Sequence, residues 1–181
     1  GPDAKRRDMS DMKTGAGIFS DGSGVTIDNC EISGFGYAAI ELKNGKDNLI
    51  TNNYIHHNRN INTGYGIRAI ESNLFNHNNV SIFGEGGANC SLEIVNNVEM
   101  GENYSAFIQM GSLSQNEEVV SGGSISIRNN TYMSRQNPFA FLDIPQGGLQ
   151  IKNNYFGGNE GSYDKEKLYG KNNKYKEYYD N

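Results

Sequence analysis

One arrangement of apolar and polar positions recurs along the chain. An aliphatic residue is followed by two variable residues, then Asn, then a large residue close behind. Copies start at Ile27 (IDNCEI), Ile50 (ITNNYI), Ile70 (IESNLF), Ile94 (IVNN), Ile127 (IRNNTY) and Ile151 (IKNNYF), separated by 23, 20, 24, 33 and 24 residues. Repeats in the twenties point to a solenoid. A second apolar-alternating segment comes next in most coils: Tyr37–Leu42, Tyr65–Ala69, Val80–Phe83, Ser105–Met110 and Pro138–Ile144. Strands at two or more stations per coil, joined by Gly/Asn turns, predict an all-β, right-handed parallel β-helix of about six coils. A leucine-rich repeat is the rival, since Leu92–Val98 fits its strand consensus. It would need leucine-dominated coils with helical backs, and leucine is sparse here.

In five of the six copies Asn stands three residues after the aliphatic; the first carries Cys30. A turn stacked at one place in successive coils explains this. Asn tolerates the left-handed conformation, and its amide can bond the amides above and below at the inter-strand spacing of about 4.8 Å. The expectation is an internal Asn ladder with Cys30 as its compact plug. Residues 1–160 form the β-helix on this reading, starting inside a longer solenoid, and 161–181 form a C-terminal cap or tail. Gly111–Gly123 (GSLSQNEEVVSGG) leaves the body as a polar loop.

Composition narrows the function. The 26 Asn and 23 Gly suit turns, while 20% charged and 10% aromatic residues do not fit a disordered chain. A net charge of −5 without a basic cluster in the body argues against nucleic acid. No apolar run has the length of a membrane span, so no membrane insertion is expected. Cys30 and Cys90 lack metal or redox spacing and read as small buried hydrophobes. Asn79, Asn89, Asn103 and Asn129 open N-x-S/T triplets, which an Asn-rich chain also produces by chance.

The segments EISGFGYAAI, NYIHHNRNINTGYGI and AIESNLFNHNNVSIFG resemble right-handed parallel β-helix repeat proteins of the pectate-lyase-like superfamily, over about Ile18 to Phe156. Members are mostly secreted or surface-attached, and many cleave, epimerise or hold polysaccharides. The resemblance thus implies an extracellular or cell-surface protein whose partner is a polysaccharide or cell-surface glycan. It does not imply a particular reaction.

Three chemistries recur on this fold, and each makes its own demand. An Asp-based hydrolase needs clustered carboxylates, and Asp28, Asp47 and Asp143 are scattered over distant coils. A calcium-assisted lyase needs carboxylates around one ion plus a base; Glu41, Glu71 and Arg68 form a thin version, so Ca2+ stays open as a cofactor. A metal-free lyase or epimerase would use Tyr and His, with Tyr65, His56, His57 and His77 as candidates and Arg68 as an alternative base. His57 and His77 each lie seven residues after their motif aliphatic, which would stack them in adjacent coils as a base, a metal half-site or a ladder bonded to nearby Asn. Two imidazoles without a third ligand make no zinc site.

Aligning the second strands on Ile40, Ile67, Ile82, Ile108 and Leu142 places two outward sets by alternation. One is Glu41, Arg68, Phe83, Gln109 and Asp143; the other is Ala39, Gly66, Ser81, Phe107 and Phe141. As an exposed ion pair, Glu41 and Arg68 would contribute little. As a groove, Glu41, Arg68, Phe83, Phe107, Gln109, Phe141 and Asp143 would bind sugar through aromatic faces and polar groups. The reading is a polysaccharide-binding adhesin or spike module, with a lyase or epimerase of an anionic glycan and a structural spacer as alternatives.

Overall fold

The computed structural model describes residues 15–42, 46–59, 61–62, 67–76, 78, 80–84, 92–100, 106–110, 124–133, 137–141, 147–156 and 179–180. The chain winds through short strands in threes. The first rung is β1 (Ala16–Ser20), β2 (Thr26–Asp28) and β3 (Glu31–Ser33); the second is β4 (Ala38–Leu42), β5 (Asn48–Thr51) and β6 (Tyr54–His56). Next come β7 (Ile61–Asn62), β8 (Ile67–Glu71), β9 (Leu74–Asn76), then β10 (Val80–Gly84), β11 (Leu92–Val95), β12 (Val98–Glu99). The upper rungs are β13 (Ala106–Met110), β14 (Ile125–Arg128), β15 (Thr131–Tyr132), then β16 (Asn137–Phe141), β17 (Leu149–Lys152), β18 (Tyr155–Phe156), with β19 (Tyr179–Asp180) added on β17. Every third strand joins the same sheet. Among the described residues the result is three parallel sheets of six, seven and six strands, the parallel β-helix expected from the repeat.

Register stacks like on like. In the second sheet the motif aliphatics Ile27, Ile50, Ile70, Ile94, Ile127 and Ile151 form one column, at most 5% exposed. Burying each such side chain favours folding by about 1.5–3 kcal/mol. The first sheet contributes Ile40, Ile61, Ile82 and Ile108; the third contributes Ile32, Ile55, Phe75 and Tyr132.

The bend between the second and third sheets divides two jobs that the sequence reading gave to one Asn. The residue before each ladder position is exposed and left-handed: Asn29, Asn52, Ser72, Asn96, Asn129 and Asn153 have φ of 54–57°. A single left-handed residue turns the strand sharply, and Asn accepts that conformation better than most. The next residue is the buried rung of the ladder. Asn73 is representative: its backbone N–H and its Nδ2 both donate to Asn97 Oδ1 at 3.0 Å, and Nδ2 also donates to Ile50 O at 3.0 Å. The ladder runs Asn53, Asn73, Asn97, Asn130, Asn154. Below it, Cys30 donates its backbone N–H to Asn53 Oδ1, but its thiol is exposed. The expected buried plug is corrected accordingly; Cys90 lies outside the described residues.

The same device serves two further corners. His57 (φ 53°) precedes buried Asn58, which donates from N to Asn78 Oδ1 at 3.0 Å and accepts from Phe35 N at 3.1 Å. Asp47 (φ 58°) precedes buried Asn48, whose Oδ1 accepts from Val25 N at 2.9 Å. This third stack stops after one step because Ile67 occupies the next register position, and Asn48 Nδ2 has no hydrogen-bond partner among the described residues.

At the edge of the first sheet, Gly17 is required by close approach. A Cβ there would lie 2.6 Å from Ala39 O and 2.7 Å from the Phe35 ring. The contacted oxygen belongs to the strand ladder and cannot retreat. Gly17→Ala should therefore destabilise by about 1–3 kcal/mol, as overpacking does, read as a lower urea midpoint. An unchanged midpoint would show that the edge strand is loosely held.

Candidate functional site

The outer strip expected on the first sheet does not assemble. Register places Ile61, not Ile67, beside Ile40, and Phe139, not Leu142, beside Ile108. Glu41 is therefore flanked by Phe19 and Asn62. It is 5% exposed and accepts the Tyr37 hydroxyl at 3.0 Å, so it is a covered group rather than an open sugar contact. Arg68 lies in the second sheet. There Asn48 pairs with Ile67 and Leu49 with Ala69, which leaves Arg68 as the extra residue of a bulge.

Strict alternation also fails where the first-sheet strands begin. Ala39, Ser81 and Phe107 are buried, as are Ile40, Ile82 and Ile108. Phe107 packs inside, its ring centroid 5.7 Å from Phe75 and 5.6 Å from Tyr132, so it is not a sugar platform. Ser81 faces inward too, donating to the buried carboxylate of Glu99 at 2.5 Å. Of the remaining candidates, Phe83 and Gln109 keep adjacent register positions and Phe141 pairs with Met110, not in their column. Tyr65, His77 and Asp143 lie outside the described residues, so the expected His57/His77 stack does too.

What comes together lies on the outer face of the third sheet. Ile32, Ile55 and Phe75 point inward, so Glu31, Tyr54, His56, Leu74 and Asn76 point outward on β3, β6 and β9. Tyr54 and His56 are two apart on one strand, and their rings stack with centroids 4.2 Å apart at 24°. His56 Nε2 meets Glu31 Oε1 at 3.1 Å in the rung below, and Asn76 Nδ2 donates to Tyr54 Oη at 3.2 Å from the rung above. His56 Nδ1 lies 2.7 Å from His57 Nδ1. With both rings neutral, Nε2–H of His56 donates to Glu31, and its Nδ1 accepts from His57 Nδ1–H.

Adjacent residues on a strand point to opposite faces. The left-handed turn at His57 brings two consecutive imidazoles together instead. His57→Asn should keep the turn and the stability, whereas a β-branched residue there would not. Higher on the same face, Leu74, Val98, Thr131 and Tyr155 continue the Tyr54 column, and Met100, Met133 and Tyr155 are 62%, 43% and 62% exposed. Tyr54 was overlooked in the sequence, though its place two residues before His56 on a strand was the available signal. Among the described residues, no three His, Cys, Asp or Glu side chains form a metal-holding group.

A solenoid of three parallel sheets with a polar, aromatic outer face defines a β-helix repeat protein. The family model described as "Right handed beta helix region" matches residues 5–162, and the chain belongs to that family. Neither the curated proteins nor the solved structures yield a match.

Proposed function

We propose that the protein is an extracellular or surface polysaccharide-binding module that holds its glycan along the outer face of the third sheet. The supporting observation is the Tyr54–His56 stack, held by Glu31 and Asn76 from the rungs on either side. Sugar recognition needs an aromatic face against the ring's C–H surface and polar groups for the hydroxyls. Here both project from a backbone fixed by ladder bonds, so little ordering cost falls on binding. A glycan lying along the solenoid axis would pass from the polar lower rungs to Val98, Met100 and Tyr155.

The test is a glycan array followed by calorimetry on the hits. Tyr54→Ala should weaken binding about tenfold, roughly 1.4 kcal/mol, while Arg68→Ala should leave it unchanged. Equal affinity in Tyr54→Ala, or loss in Arg68→Ala, would reject this face. A second reading, a lyase or epimerase at the same cluster, draws on the Glu31–His56–His57 chain, which suits proton transfer. Unsaturated or epimerised product from a bound anionic glycan, lost in His56→Ala, would favour it.

A further inference from the structure

We infer that the glycan is uncharged and acetylated, with its acetyl groups seated on the upper rungs of the third sheet. The inference rests on the glycan-binding reading above and names the class of polymer. The outer face of this sheet changes character along its length. Its lower rungs carry Glu31, Tyr54, His56 and Asn76; above them come Val98, Met100, Met133 and Tyr155. The two methionines occupy equivalent places on successive rungs. Met100 donates its backbone N–H to Phe75 O at 3.0 Å in the rung below, and Met133 does the same to Glu99 O at 2.9 Å.

Charge selects against an acidic polymer. Among the described outward residues of the third-sheet strands there is no lysine or arginine, and the Glu31 carboxylate is 70% exposed. Arg59 lies past the Asn58 corner, outside these strands. A uronate chain would bring further carboxylates against Glu31 and find no fixed cation on the sheet. An uncharged sugar meets no such repulsion, and the polar lower rungs can bond its hydroxyls. The upper rungs select for an apolar substituent. Of the five exposed large hydrophobic side chains among the described residues, three stand here: Met100 at 62%, Met133 at 43% and Tyr155 at 62%. They occupy three successive rungs, a span of about 10 Å. Bare hydroxyls would leave these side chains uncovered, whereas flexible thioethers mould themselves round a methyl group. Each acetyl methyl buried there raises affinity about fourfold.

The experiment is calorimetry of the whole chain with unsubstituted neutral, acetylated and uronate polymers. The acetylated class should bind roughly tenfold tighter than either other class, as two buried methyls imply against the neutral one, and salt should leave that affinity unchanged. The acetylated polymer is then stripped, by mild alkali for O-acetyl groups or by an N-deacetylase for N-acetyl groups. Both forms are measured in about 0.5 M salt, which screens a freed amine. Stripping should weaken binding roughly tenfold in the parent chain. In the double variant Met100→Ser, Met133→Ser, whose changes lie on exposed side chains and keep the melting temperature, stripping should have little effect. Uronates bound as tightly as acetylated polymers, and weakened by Tyr54→Ala, would overturn the inference and leave the glycan face standing. No loss on stripping in the parent, or an equal loss in the double variant, would also overturn it. If no polymer of any class binds, the glycan-binding reading fails and this inference falls with it.

Discussion

Replacing Asn97 by leucine should lower stability by about 4 kcal/mol, although leucine branches at the same carbon. Asn97 is fully buried, and its Oδ1 accepts both the backbone N–H and the Nδ2 of Asn73. Its Nδ2 donates to Ile70 O at 2.9 Å and to Asn130 Oδ1 at 3.0 Å. Leucine supplies none of these. Asn73 Nδ2 retains Ile50 O and Glu71 O, and Asn130 Oδ1 retains Asn97 N–H. The Asn73 N–H and the Ile70 carbonyl lose the amide partner that served them, at about 1–3 kcal/mol for each buried group. Urea unfolding should show a lower midpoint at constant slope. The neighbouring Asn96→Ala removes only a favourable left-handed residue from an exposed turn and should cost about 1 kcal/mol. Equal losses in the two variants would mean that turn conformation, not the amide ladder, holds this corner.

Phe107→Ala should cost about 3–5 kcal/mol, the usual range for emptying an aromatic site in a packed core. The ring is 1% exposed and lies between Phe75 and Tyr132 from the third sheet. Its removal opens a void between β9, β13 and β15, and stacked strands cannot close it without breaking register. The same variant separates the two readings of this residue. An outward sugar platform would lose affinity and keep its stability. A core residue should lose stability, while the fraction still folded binds glycan as before. A melting temperature equal to that of the parent chain would return Phe107 to the surface.

The motif aliphatics were legible because they repeat one chemical choice in one place: Ile27, Ile50, Ile70, Ile94, Ile127 and Ile151 all reach the second-sheet column. The amide ladder was legible for the same reason, since Asn53, Asn73, Asn97, Asn130 and Asn154 stack as the spacing required. The other two corners carried a signal that went unread: Asn48, Asn53 and Asn58 stand five apart, each preceded by a left-handed residue. The site was far less legible. Arg68 looked like a neighbour of Glu41 because Ile67 resembles Ile40 in its surroundings, yet Ile61 takes that place.

The order of the chain alone determined a stacked parallel β-helix, because a side chain recurring every coil must meet its own kind one rung away. Which outer face gathers functional groups was decided by the tertiary structure. The corner marked by Phe35, Asn58 and Asn78 reaches the inward Ile40, Ile61 and Ile82 after five, three and four residues, respectively. A corner of varying length shifts the strand after it, so distance along the sequence no longer measures position across the sheet. The short bend into the third sheet keeps a constant length, and there Glu31, Tyr54, His56 and Asn76 come to lie side by side.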